Sequence, residues 1–214
     1  GAAFVYHGSP ATLSEAANWL KDSNQANAYF GFAVSTAGDV NGDGYADIIV
    51  GAYAWDDGQD NEGGAWVYHG SANGMVSAPA FYKPSDHAGV WFGYSVGTAG
   101  DVNGDGYSDV IVGSPFYDHP TEDEGLASVY HGSASGVHSA PDWFGQGDFE
   151  DAQYGYSVST AGDVNADGYS DVIVGSPYWS DDFLNEGRAW VYHGSAAGLQ
   201  SGAIWHAESN QYGA

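Results

Sequence analysis

The stretch Asp39-Val40-Asn41-Gly42-Asp43-Gly44-Tyr45-Ala46-Asp47 decides how the rest of the chain is read. It recurs with few changes at 101–109 and 163–171, 62 residues apart each time. Each copy sets oxygen-bearing side chains at alternate positions around a glycine-rich bend, the arrangement a hard divalent cation needs. The expected ligands of the first loop are the side chains of Asp39, Asn41 and Asp43, the backbone carbonyl of Tyr45 and the carboxylate of Asp47. The second loop offers Asp101, Asn103, Asp105, Tyr107 and Asp109, and the third Asp163, Asn165, Asp167, Tyr169 and Asp171. Gly44, at the sixth position, allows the chain reversal that folds these oxygens around one centre.

An oxygen cage supplied mostly by protein favours Ca²⁺, with three sites expected; Mg²⁺ would demand a tighter octahedron with more water. Zinc would seek nitrogen or sulfur, and the chain has no cysteine. An EF-hand fails twice: its twelfth position needs a bidentate Glu, where this chain has Val50, Val112 and Val174, and its flanks must be helices. A plain Asp/Asn/Gly turn without metal would leave three carboxylates repelling one another within nine residues. The third loop carries Ala166 where the others have Gly42 and Gly104. That position gives no side-chain ligand, so binding there should survive in weakened form.

The period extends along the whole chain without insertion. His7, His69, His131 and His193 are 62 residues apart, as are Trp19, Phe81, Trp143 and Trp205. Such regularity suggests recent duplication or deliberate design. Within one period four short strands are expected: Phe30 to Ser35, Ala46 to Ala52, Ala65 to His69 and Pro79 to Tyr82. The apolar run Asp47-Ile48-Ile49-Val50-Gly51 suits a strand buried on both faces, and no segment carries a sustained helical stripe. Four strands in about sixty residues, repeated, predict an all-β fold, a β-propeller of four-stranded blades with about three and a half repeats. The expected divisions are a partial blade with only outer strands at 1–28, then blades at 29–90, 91–152 and 153–214. The tyrosines at 6, 68, 130 and 192 and the outer-strand Trp/Phe series are expected to pack between blades.

Three Lys plus Arg against 28 Asp plus Glu give a formal charge of −25. Nucleic acid is excluded as a natural partner, since no basic stripe exists to displace its counterions. Nine of the acids lie in the cation loops, so three Ca²⁺ would bring the charge to −19. No apolar run approaches a membrane span, and insertion into a bilayer is not expected. No nucleophile, base and orienting acid assemble, so the chain is read as a non-enzyme.

Phe30-Gly31 and Phe92-Gly93, each followed by a cation loop and then Gly51-Ala52-Tyr53 or Gly113-Ser114-Pro115, resemble the FG-GAP repeat. The third copy, Tyr154-Gly155 with Gly175-Ser176-Pro177, departs only at its first aromatic. The resemblance implies the propeller of integrin α subunits and of bacterial surface and secreted proteins. It implies calcium between the first and second strands of a blade, an extracellular or cell-surface setting, and a role in adhesion or ligand binding. It also implies a ligand face, opposite the calcium loops, built by the loops joining strands two to three and four to one. Here Trp55 and Asp56, Tyr117 and Asp118, and Trp179 and Asp181 occupy the two-to-three loops, with Glu62, Glu124 and Glu186 in a second shared phase. These aromatics could stack on a glycan or meet a protein; alternatively they pack over adjacent loops while the glutamates cap backbone amides. A lectin-like binder, and an engineered scaffold without a natural ligand, are the competing functional readings.

A seven-bladed ring of this period would need about twice this length. Half a ring leaves two apolar blade faces uncovered. The expected partner is therefore a second copy or a remaining propeller segment.

Overall fold

The structure is a computed structural model that describes residues 1–211. Residues 212–214, the end of the expected 153–214 repeat, lie outside the described residues. Fourteen strands and no helix are found among the described residues. A short antiparallel pair comes first, β1 (Ala2–Val5) with β2 (Trp19–Asp22). Three antiparallel sheets of four strands follow in simple meander order. They comprise β3 (Ala33–Gly38), β4 (Asp47–Ala52), β5 (Gly64–Tyr68) and β6 (Phe81–Pro84); then β7 (Ser95–Gly100), β8 (Asp109–Ser114), β9 (Leu126–Tyr130) and β10 (Trp143–Gln146). The last sheet holds β11 (Ser157–Gly162), β12 (Asp171–Ser176), β13 (Arg188–Tyr192) and β14 (Trp205–Glu208). The first strands β3, β7 and β11 lie against one another in turn, as the inner strands of an open, partial β-propeller do.

The first strand of each sheet starts three residues later than the spacing predicts. Tyr29 and Gly31 both take left-handed backbone conformations, with φ of 55° and 83°. Phe30-Gly31 is therefore a turn rather than strand, and it drives Phe30 into the core at 2 % exposure. The second strands meet the expectation of burial on both faces: all six residues of β8 are buried. A bulge at Thr36/Gly38 ends the β3–β4 ladder, and Gly38 N donates to Thr36 Oγ1 at 3.1 Å. That irregularity turns the chain out of the sheet at the point where the acidic loop begins.

Successive sheets are joined by two kinds of contact. One is aromatic: Trp19 meets Tyr68 and Trp143 meets Tyr192 edge-on, each at 4.9 Å between centroids, and Phe81 meets Tyr130 at 5.5 Å. Each outer-strand ring thus lands on the third-strand tyrosine of the next sheet, and such pairs add about 0.5–1.5 kcal/mol beyond their buried area. The other is backbone: Phe92 N donates to Glu62 O at 3.1 Å and Tyr154 N to Glu124 O at 2.9 Å. The second residue of the aromatic–glycine pair then seats against a glycine of the preceding sheet. A Cβ on Gly51 would stand 2.0 Å from Gly93 O, and one on Gly113 would stand 1.9 Å from Gly155 O.

Both ends of the array are open. Val34 is 60 % exposed where its counterpart Val96 is 8 %. Val164 is 57 % exposed where Val40 and Val102 are fully buried. Trp205 is half exposed, having no following sheet to cover it.

Candidate metal centre

Each acidic loop leaves the bulge of an inner strand and returns at the first residue of the second strand. Its opening acid organises the bend. Asp39 Oδ1 accepts from Gly42 N at 2.7 Å and Asp43 N at 3.1 Å, and Oδ2 accepts from Gly44 N at 2.8 Å. Asp101 repeats these bonds to Gly104, Asp105 and Gly106. Asp43 Oδ1 accepts from Tyr45 N at 3.0 Å, and Asn41 Oδ1 from Asp43 N at 3.0 Å. The closing acids Asp47, Asp109 and Asp171 are fully buried. Asp47 Oδ2 accepts from Val40 N at 2.9 Å and Oδ1 from Gly70 N at 2.8 Å. Asp109 bonds likewise to Val102 and Gly132, and Asp171 to Val164 and Gly194. One carboxylate therefore ties the loop to the His-Gly-Ser turn after the third strand.

That turn contributes a residue which spacing alone did not mark as part of the site. His69 Nδ1 lies 3.2 Å from Asn41 Nδ2, and His131 and His193 stand in the same relation to Asn103 and Asn165. The histidine fixes the amide so that its oxygen turns toward the loop. The only sequence signal is the constant 28-residue separation of each Asn–His pair.

Neighbouring blades close over the first two loops. Asp39 N donates to Ser108 Oγ at 3.1 Å, Ser108 N to Asp39 O at 2.9 Å and Ser133 N to Val40 O at 3.0 Å. Ser170 and Ser195 do the same for the second loop. The glycine at the loop's fourth position is part of this seam. A Cβ on Gly42 would lie 2.7 Å from the ring of Tyr107, and one on Gly104 would lie 2.6 Å from that of Tyr169. Ala166 takes the left-handed conformation of its glycine counterparts, with φ of 60° against 72° and 74°. Its methyl occupies the space that a neighbouring tyrosine fills at the other two loops.

Does a hard cation fit these residues? No loop brings its three carboxylates all within 4.8 Å of one another, because backbone N–H groups hold them. Yet apart from Oδ1 of Asp39 and of Asp101, which each accept two backbone N–H bonds, the loop carboxylate oxygens keep a second acceptor direction, and the donors are all hard oxygens. Among the described residues none of the nine loop acids forms an ion pair with Lys, Arg or His. Burial pushes the Asp109 carboxyl up to about 7 in spite of its bonds from Gly132 and Val102, with Asp105 and Asp101 adding repulsion. Burial raises Asp47 in the same way. A buried acid beside two more acids, without a cationic side chain, is an incomplete charge set that a divalent ion would complete. The donor set fits.

The loops joining second to third strands hold their residues differently. Trp55 packs edge-on against Trp66 at 5.3 Å, and its Nε1 donates to Tyr82 Oη at 2.7 Å. Trp179 is buried between Trp190 at 5.2 Å, Phe149 at 4.2 Å and the guanidinium of Arg188 at 4.1 Å. With Arg188 it lines a pocket of about 430 Å³, and Tyr117 is half-buried at a smaller one of about 140 Å³. Asp56 and Asp118 each accept a backbone N–H five residues ahead, from Asn61 and Asp123, at 2.7 Å. Asp181 is 3.8 Å from Arg188. Glu62, Glu124 and Glu186 are all buried. Glu62 accepts from Asp57 N, Glu186 from Asp181 N at 2.9 Å, and Glu124 from the hydroxyl of Thr121 at 2.8 Å. The glutamates thus brace their own loops.

The family model for the FG-GAP repeat matches residues 30–68, 92–130 and 154–192. Integrin alpha pat-2 of Caenorhabditis briggsae is 33 % identical over 201 residues, 86 % of this chain and 15 % of that protein. Integrin alpha-3 of Cricetulus griseus is 35 % identical over 72 % of this chain and 15 % of its own length. Integrin alpha-PS2 of Drosophila melanogaster is 33 % identical over 87 % of this chain and 13 % of its own length. The chain therefore spans about a seventh of the relatives it matches. Among solved structures, the exotype rhamnogalacturonan lyase YesX aligns with 97 % of this chain and 36 % of its own, at 13 % identity and a TM-score of 0.44.

Proposed function

The chain belongs to the FG-GAP repeat family, and on that premise we propose that it is a calcium-binding, non-catalytic propeller segment serving adhesion or protein-ligand display outside the cell. The observation that carries this reading is the threefold set of loop acids with no cationic side chain to balance them. Adhesion and a cell-surface setting come from the matched integrin α chains and are part of the proposal. A glycan ligand has less support at Trp179, which is buried against Phe149, Trp190 and Arg188, than at the half-buried Trp55, which meets Trp66 edge-on.

Calorimetric titration with Ca²⁺ tests the cation sites. Three equivalents per chain are expected, with affinities of about 10⁻⁴ to 10⁻³ M. Asp39→Ala and Asp101→Ala should each remove one equivalent. A chain that takes up no calcium, or whose stoichiometry both variants leave unchanged, would refute the assignment.

Completion of the ring by a second copy or by a further propeller segment is the other half of the proposal. It rests on the exposed Val34 and Val164 at the two ends. Light scattering in millimolar calcium should report a mass above that of the 22.3 kDa chain. A monodisperse monomer would remove self-association and leave the further segment.

A further inference from the structure

His131 follows β9, and His138 and Asp142 lie in the bend that leads to β10. Among the described residues these three are the His/Asp/Glu group whose donor atoms all come within 4.8 Å of one another. Asp142 Oδ1 is 3.0 Å from His138 Nδ1 and 3.6 Å from His131 Nδ1. A tetrahedral ion with bonds of about 2.0–2.1 Å sets its ligands roughly 3.3 Å apart, between those two separations.

The other contact of His131 bears on how a metal would bind. Asn103 Oδ1 accepts from Asp105 N at 2.9 Å, so its Nδ2, 3.2 Å from His131 Nδ1, is the donating end. His131 Nδ1 thus has an amide on one side and the Asp142 carboxylate on the other, and an ion at this nitrogen would take the amide's place.

The repeats separate this group from the requirements of the fold. His131 has counterparts in every copy, but His138 and Asp142 do not. Their places are taken by Ser14 and Asn18, Val76 and Ala80, and Gln200 and Ile204. Asp142 Oδ2 does accept from His131 N at 2.8 Å, yet the neutral Asn18 performs the same service for His7 N at 2.7 Å. Neither the negative charge nor His138 is needed for the turn. The side chains of His138 and Asp142 are 49 % and 24 % exposed, which gives an ion access and leaves a coordination position for water.

We propose that His131, His138 and Asp142 form a mononuclear site for a nitrogen-preferring first-row transition ion of the Zn²⁺ class, with none of its ligands among those of the acidic loops, although His131 also touches Asn103 of the second loop. Two imidazoles and one carboxylate select such an ion over calcium, which takes oxygen donors.

The test is a Zn²⁺ titration of the whole chain with calcium in excess, paired with visible absorption of the Co²⁺ form. One zinc per chain and the intense absorption of four-coordinate Co²⁺ are expected. His138→Gln and Asp142→Ala place at these positions residues found at the same phase in other repeats. Each should weaken zinc at least tenfold, with the circular dichroism spectrum unchanged. No zinc uptake, a weak octahedral Co²⁺ spectrum, or variants that bind zinc as tightly as the unsubstituted chain would overturn the site. Repeating the titration without calcium keeps a failure of this site distinct from a failure of the loops.

Discussion

Calcium at ten times its loop dissociation constant is expected to raise the unfolding free energy by about 4 kcal/mol. Each ion that binds only the folded chain contributes RT ln(1 + [L]/Kd), about 1.4 kcal/mol at that ratio, and three loops are available. For a chain of this size the gain corresponds to a rise in Tm of roughly 8–16 °C. The physical origin lies in the closing acids. Asp47, Asp109 and Asp171 are fully buried and hold the loop to the third-strand turn, while the other two acids of each loop crowd the same bend. Calorimetry in calcium and in chelator, at equal ionic strength, measures the difference. An unchanged Tm would contradict the cation assignment. An equal gain from sodium chloride would reduce the effect to general screening of the negative charge.

A second large effect is expected from one methyl group. Gly113→Ala should destabilise the chain by about 3 kcal/mol, the upper end of what overpacking commonly costs. The residue's φ is not positive, so alanine suits the backbone conformation; only space is lacking. The new carbon would stand 1.9 Å from the carbonyl oxygen of Gly155, a backbone atom of the next sheet that cannot rotate away. Gly51→Ala meets Gly93 O at 2.0 Å and should behave alike. Gly175, at the same phase, is the internal control: its closest obstacle is Ser157 Oγ at 2.4 Å, and the nearest backbone atom is 3.8 Å away. Gly175→Ala should therefore cost less than about 1 kcal/mol, since a serine hydroxyl can turn. Urea unfolding of the three variants decides the matter, and equal losses at Gly113 and Gly175 would show that the seam is not the cause.

Much of the fold is readable from spacing, because a repeat states the same physical problem several times. The acidic nonapeptide marks where an inner strand must turn, and the apolar run from Ile48 to Val50 marks the strand buried on both sides. The start of β3 is less visible. Phe30 has the composition of a strand residue, but the left-handed Tyr29 and Gly31 beside it make a turn, and sequence carries no direct sign of φ at a tyrosine. The seam is harder still. Asp39 meets Ser108 and Asp101 meets Ser170 across 69 residues, one period plus a remainder that only the stacking of sheets explains. Whether Trp55 and Trp179 face outward also depended on Trp66 and Trp190, which lie on the following strand and meet them edge-on. His69, His131 and His193 read as turn residues until the loop asparagines were placed beside them.

The methyl group of Ala166 bears on how such an array avoids endless growth. A unit with one uncovered face at each end invites head-to-tail addition of further copies, and an interface of that kind leads to filaments when its rotation does not close. Between successive blades the fit depends on a tyrosine entering the notch that a bare glycine leaves. Tyr45, 42 % exposed, is the ring that has no such notch to enter within the chain. The notch at the opposite end is the one that Ala166 has plugged. An identical molecule arriving there would find its knob refused and would have to shift its ring to seat at all. The single departure from glycine thus makes the joint at this loop unlike the two within the chain, so that any neighbour seating there must carry its ring in a shifted position.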